Sequence, residues 1–147
     1  MDKIRWGIVG TGRIAQKFAE GLTRTQDAEL VAIGSRAKHT ADAFGDKWKV
    51  RHRHAAYEAL AADPEVDVVY VATPHPMHKE SSILCLRAGK AVLCEKPLAV
   101  NAREAQEVIA CARERRLFLM EALWARFLPV QVRLREMLAA APSASRA

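Results

Sequence analysis

The sequence predicts an α/β domain, a doubly wound parallel sheet with helices on both faces. Three observations point there. Short β-branched apolar runs alternate with longer segments of helical period, the pattern of repeated βαβ units. The runs Val68-Val69-Tyr70-Val71 and Ala91-Val92-Leu93 are continuously apolar, as strands are when helices cover both faces of their sheet. The first apolar run ends in Gly10-Thr11-Gly12-Arg13-Ile14-Ala15, a GxGxxA spacing at a strand-to-helix turn.

Taken in order, residues 4–9 read as the first strand and 13–24 as the first helix. A second strand over 29–34 leads to a helix over 40–47, and a weak strand near 49–52 to a helix over 56–62. The fourth strand covers 67–72. The helix after it, over 76–88, opens on Pro76, whose missing N–H costs nothing in a first turn, and stops before Gly89, placed as a left-handed C-terminal residue. A strand over 91–94 precedes a helix over 102–115, where Asn101 with Glu104 makes an N-cap and capping-box pattern. Arg113, Arg115 and Arg116 suit the dipole of that helix's last turn. A strand over 117–121 and a helix over 129–140 complete the set. Residues 1–140 thus form one dinucleotide-binding domain, and 141–147 a frayed or frameshifted tail.

Composition narrows the function classes. The 147 residues carry 23 Lys and Arg against 17 Asp and Glu, a net +6, and half are hydrophobic, so the chain is neither disordered nor dependent on a staple to hold its core. No apolar run reaches the ~18 residues of a membrane span, and the N-terminus lacks the basic region and cleavage site of a signal peptide. A cytoplasmic location and no membrane partner are expected. Cys85, Cys94 and Cys111 are odd in number and form no CxxC, so they read as reduced core residues. The basic residues are dispersed and RNA-type aromatic motifs are missing, so nucleic acid is not an expected partner.

In the glycine run each position has a mechanical task. Gly10 allows the tight turn, Gly12 lets the backbone approach a pyrophosphate, Ala15 lets helix and strand pack closely, and the helix N-terminus supplies N–H groups. At the end of the second strand, where an acidic residue would bind the ribose diol of NAD, stands Ser35-Arg36. A guanidinium fork with a neighbouring hydroxyl complements a 2′-phosphate, which favours NADP over NAD; a solvated arginine at a strand end is the other reading. The fourth strand runs into Thr73-Pro74-His75-Pro76-Met77-His78 and the fifth into Glu95-Lys96-Pro97, on the edge where open α/β sheets bind ligands. A partly desolvated Lys96 beside a nicotinamide can hydrogen-bond a substrate hydroxyl and stabilise the alkoxide; taken alone, the segment equally fits a surface lysine. His75 and His78 line the cofactor pocket or cap the following helix. A metal is not expected at the His75/His78 or His52/His54 pairs, since neither has a nearby carboxylate or cysteine. Trp124 and Arg126 can flank a nicotinamide or be a packed tryptophan beside a solvated arginine.

Arg5-Trp6-Gly7-Ile8-Val9-Gly10-Thr11-Gly12, the turn from Thr73-Pro74 to His78 and the Glu95-Lys96-Pro97 run resemble the N-terminal Rossmann domain of the glucose-fructose oxidoreductase/inositol dehydrogenase (Gfo/Idh/MocA) family. The runs 75–79, 91–97 and 119–124 look most like its dihydrodiol dehydrogenase and NADP-linked D-xylose dehydrogenase branch, and His75, where the wider family commonly has Asn, agrees. The resemblance implies oxidation of a secondary alcohol on a sugar or trans-dihydrodiol with hydride passing to NADP. It implies a catalytic Lys96, with Glu95 positioning its loop. Thr73, Pro74, His75 and His78 would border the cofactor, with Trp124 and Arg126 at its nicotinamide end. A cis Lys96–Pro97 bond is expected. Family members continue into a second α/β domain that covers the nicotinamide and forms a homodimer interface. That second family domain is expected to be absent here, leaving a cofactor-binding half with weak or no activity of its own. The helix bearing Val130, Leu134 and Leu138 then lacks its cover, and the fragment should self-associate. A non-catalytic dinucleotide-binding or redox-sensing module is the alternative. In the family a Gly-Ala-Ile-Gly-Glu type segment follows this helix, where Ala141-Pro142-Ser143-Ala144-Ser145-Arg146 stands here. One stretch of DNA can encode both runs in two frames, which suggests a frameshift, with deliberate domain trimming as the competing account.

Overall fold

In the computed structural model, which describes residues 3–140, the chain alternates strands and helices: β1 (Ile4–Val9), α1 (Arg13–Leu22), β2 (Ala28–Gly34), α2 (Lys38–Trp48), β3 (His52–His54), α3 (Tyr57–Ala61), β4 (Val68–Val71), α4 (His78–Arg87), β5 (Ala91–Cys94), α5 (Ala102–Arg115), β6 (Leu119–Glu121) and α6 (Pro129–Ala140). Two 3₁₀ turns, His75–Met77 and Trp124–Phe127, interrupt the alternation. The strands form one parallel sheet in the order β3-β2-β1-β4-β5-β6. The winding reverses between β1 and β4, which opens a crevice between the loops that follow them.

Register sets where those loops begin. Val9 lies opposite both Gly34 and Val71, Val71 opposite Cys94, and Cys94 opposite Glu121. The strands therefore end together, and Gly10, Ser35, Ala72, Glu95 and Ala122 stand side by side along one edge. Because successive strand residues face opposite sides, both faces are buried. Val9, Val69, Val71 and Val92 pack with Leu60, Leu86 and Val108 on one side, while Ile8, Ile33 and Tyr70 pack with Ala15, Ala19 and Phe44 on the other.

Local signals explain most boundaries. Gly89 closes α4 with φ +83°, its neighbour Lys90 donating back to Cys85 O at 3.0 Å, and Asn101 Oδ1 caps α5 by accepting from Glu104 N at 2.9 Å. The Lys96–Pro97 bond is cis. Three expectations need correction. The third strand starts at His52, because α2 runs through Trp48 and closes on Lys49 in the left-handed region, with Val50 N donating to Gly45 O; residues 49 and 50 belong to that cap. The turn containing Pro76 tightens to 3₁₀, Met77 N bonding Pro74 O, so α4 begins at His78. Arg116 lies past α5 as its left-handed cap and not in its last turn. Every residue of α6 is exposed, Val130, Leu134 and Leu138 included. The tail assigned to 141–147, with the frameshift reading, lies outside the described residues.

Candidate active site

The glycine loop turns away from β1 through Gly10, whose φ is +102° and where a Cβ would stand only 2.7 Å from Ala72 O, which leaves room for no other residue. Gly12 is different. It is the N-cap of α1 in extended backbone, and a Cβ built on it would meet nothing within 4 Å. No side chain caps α1, and its first intrahelical bond is Gln16 N to Gly12 O, so the N–H groups of Arg13, Ile14 and Ala15 have no partner within the helix. Ala15 is fully buried beneath the helix, as its small size allows.

In front of this loop lies a cleft of about 460 Å³, and it gathers Gly10, Thr11, Gly12, Ser35, Arg36, Thr73 and Pro74. Seven of the residues singled out in the sequence thus face one space. Thr40 Oγ1 donates its single proton to Ala37 O, so the 2.6 Å contact between Ser35 and Thr40 must be donated by Ser35. The Ser35 hydroxyl is committed to its own loop, which leaves Arg36 as the donor at this strand end. Arg36 is exposed, and none of the hydrogen bonds or ion pairs among the described residues involves its guanidinium.

One strand over, Lys96 is exposed at the end of β5 on a loop tied down from three sides. Buried Glu95 accepts from the Tyr70 hydroxyl through Oε1 and from Lys96 N through Oε2 at 3.1 Å. The fully buried His78 ring spans the two loops, Nδ1 at 2.7 Å from Pro97 O and Nε2 at 2.9 Å from Thr73 O. Leu98 N donates to Glu121 Oε1 at 2.8 Å, the third tie. Burial, and then the hydrogen bond to Glu95, push the Tyr70 hydroxyl well above the usual phenol range. Burial likewise raises the thiols of Cys94 to about 11 and Cys85 to about 12. Tyr70 and Glu121 were not among the sequence candidates; the signal for each was a polar group in an otherwise apolar strand.

The remaining candidates are more dispersed. His75 sits exposed in the 3₁₀ turn, its ring 5.3 Å from that of His78. Trp124 and Arg126 occupy the second 3₁₀ turn, both exposed. Trp124, with Ile14, Phe18, Tyr70 and Leu123, lines a second, apolar cleft of about 400 Å³. The reason given against a metal at His52/His54 also fails: the fold brings Asp63 to them, Oδ2 lying 2.6 Å from His52 Nδ1 and 2.8 Å from His54 Nε2. Burial raises the Asp63 carboxyl, but the bonds from both rings and from Glu65 N outweigh it and hold it at about 2.

A glycine-loop cleft at the switch point of a doubly wound sheet is the architecture of a dinucleotide-binding Rossmann domain. The model of the oxidoreductase family with NAD-binding Rossmann fold, GFO_IDH_MocA, matches residues 4–123, and the chain belongs to that family. Mouse trans-1,2-dihydrobenzene-1,2-diol dehydrogenase is 48% identical over 137 residues, and its human counterpart 48% over 138; each alignment covers 92% of this chain and 41% of the relative. The chain therefore spans about two-fifths of the length of these relatives. Among solved structures, an NAD binding oxidoreductase from Klebsiella pneumoniae superposes with a TM-score of 0.89 at 28% identity, over 93% of this chain and 39% of that one. KijD10, a 3-ketoreductase from Actinomadura kijaniata in complex with NADP, gives 0.87 at 35% identity, over 94% and 44%.

Proposed function

We propose that this chain is the cofactor-binding half of an NADP-linked dehydrogenase that oxidises a secondary alcohol of a trans-dihydrodiol or a sugar. The observation that carries the reading is the exposed Lys96 amine, held on a loop braced by buried polar groups one strand from the glycine-loop cleft. The cleft fits a dinucleotide on its own chemistry: open space over Gly12, unpartnered helix N–H groups and an unengaged guanidinium at Arg36. Bound NADP supplies the hydride acceptor. Gly10, Thr11, Gly12, Arg13 and Ile14 hold its pyrophosphate, and Arg36 its 2′-phosphate. Thr73, Pro74 and His75 border it, with the buried His78 bracing their loop from behind and Trp124 and Arg126 toward the nicotinamide. Lys96 Nζ donates to the alcohol oxygen and steadies negative charge there as the substrate is oxidised.

The dihydrodiol class rests on the names of the 48% identical relatives. Those relatives are more than twice as long, so turnover is assigned to a longer homodimeric protein and cofactor binding to this chain. A cytoplasmic setting accords with three free, buried cysteines, and no helix among the described residues is long and apolar enough to cross a membrane. The test has two arms. NADPH binding by the 147-residue chain is followed by fluorescence, and oxidation of trans-dihydrodiols and sugars is assayed on its full coding frame with Lys96→Ala beside it. Turnover that falls at least about 100-fold in Lys96→Ala, with NADPH affinity kept within about threefold, supports the roles given. Cofactor binding without oxidation of any such alcohol would leave a redox-sensing or purely binding module instead.

A further inference from the structure

We propose that His52, His54 and Asp63 form a zinc site that cross-links the edge strand β3 to the turn before β4. His52 and His54 stand two apart on β3 and so share a face of the strand. β3 is paired on one side only, with β2, Ala32 opposite His52 and Gly34 opposite His54. Their rings lie nearly perpendicular, yet Nδ1 of one and Nε2 of the other converge on the same Asp63 oxygen. The three ligand atoms all lie within 4.8 Å of one another.

The carboxylate is oriented without help from the histidines. Glu65 N holds Asp63 Oδ1 at 2.9 Å, and Lys90 Nζ, engaged by Asp63 O at 2.6 Å and Val66 O at 2.8 Å, fixes the turn. Oδ2 is thereby left for the imidazoles, and an outer hydrogen bond of this kind is what sets a ligating carboxylate for a metal. The Asp63 side chain is 4% exposed, the His52 and His54 side chains 32% and 23%. The anionic ligand is dry while the imidazole side meets solvent, which supplies water for a fourth position. Two imidazoles and one carboxylate suit zinc and the neighbouring borderline cations, not magnesium or calcium. With bonds of about 2.0–2.1 Å, tetrahedral ligand atoms stand roughly 3.3 Å apart, so the two His–Asp contacts must open by roughly 0.5–0.7 Å. Side-chain rotation of two partly exposed rings on an edge strand can supply that. None of the three side chains belongs to the cofactor cleft, but Ser35 N donates to His54 O at 3.0 Å, so the cross-link reaches the loop beside Arg36.

The metal-free 147-residue chain is titrated with Zn²⁺ against a chromogenic chelator, alongside His52→Gln, His54→Gln and, as a control, exposed His39→Gln. One equivalent is expected, at least about tenfold weaker in either β3 variant and unchanged in the control. Melting temperature should rise with Zn²⁺ in the unmutated chain and the control, by mass action. The Co²⁺-loaded unmutated chain gives a reading that does not depend on any variant folding: tetrahedral visible bands support the site, and a pale octahedral spectrum overturns it. Absence of stoichiometric Zn²⁺ binding, or binding undiminished in both β3 variants, also overturns it and leaves a hydrogen-bonded cluster.

Discussion

Along the carboxyl edge of the sheet, the segment after β1 and β2 keeps most of its donors free, the Ser35 hydroxyl apart, whereas the segment after β4, β5 and β6 commits its buried polar groups to holding its own loops. The first offers the bare N–H groups of α1, the space over Gly12 and the unengaged Arg36 guanidinium. The second uses His78, Tyr70, Glu95 and Glu121 to hold two loops and ends in one exposed amine. The difference follows from what each end must do. Taking up a phosphate requires donors that wait for a ligand, while presenting Lys96 at a defined point requires its backbone to be fixed beforehand. Substitutions at the two ends should therefore separate into those that unfold and those that only fail to bind.

The largest effect is expected at the braced end. His78→Ala removes a fully buried ring and both of its carbonyl contacts, and should cost about 3 kcal/mol in urea unfolding. Lys96→Ala, at an exposed position, should change stability by less than about 0.5 kcal/mol. If the two cost the same, the braced end is not braced through His78.

Next comes an alkaline limb. Burial holds the Cys85 and Cys94 thiols at about 12 and 11, above their ordinary value of 9.0, so from about pH 9 upward the unfolded chain releases protons that the folded chain keeps. Stability present below that value is then lost as pH rises, by about 1.4 kcal/mol per thiol one unit above it. The urea midpoint should fall between about pH 8 and about pH 10, and fall less in Cys85→Ala. A midpoint that holds steady would show that the thiols meet solvent in the folded chain.

These two ends were not equally legible in the sequence. The glycine loop could be read because its demands are local: Gly10 needs a backbone conformation that other residues avoid, and the turn joins a recognisable strand to a helix. The ties around Lys96 pair residues 19 to 25 apart, His78 with Pro97, Leu98 with Glu121 and Tyr70 with Glu95, and they exist only once the strands are in register. Asp63 was missed for the same reason, since nothing in its run of residues announces that β3 will lie beside it. The error at β3 was of another kind. Val50 is apolar and buried and invites a strand, but it packs as the residue after a left-handed helix cap.

At the open end the expected losses are smaller and confined to binding. Arg36→Ala should weaken NADP about 10- to 30-fold, or roughly 1.5–2 kcal/mol, and NAD by no more than about twofold, because only the former offers a phosphate to the lost guanidinium. Calorimetric titration of both cofactors reads this directly. Equal losses would mean that Arg36 points away from the ribose.

The smallest effect sharpens the comparison most, because it divides the glycine loop itself. Gly12 and Gly10 are two residues apart, yet only Gly10 is held by the fold: a Cβ at 10 would strike Ala72 O, while a Cβ at 12 has nothing within 4 Å and its backbone is already in a region any residue adopts. Gly12→Ala should therefore leave the urea midpoint within about 0.5 kcal/mol of the unmutated chain, allowing for alanine being a poorer N-cap than glycine. The new methyl would stand in the space in front of the α1 N–H groups, where a pyrophosphate must come close, and NADPH affinity should fall about fivefold, roughly 1 kcal/mol. Fluorescence titration of the variant decides it. Unchanged affinity would show that the space over Gly12 lies off the path of the cofactor, and the open end would then consist of Arg36 and the helix N-terminus alone.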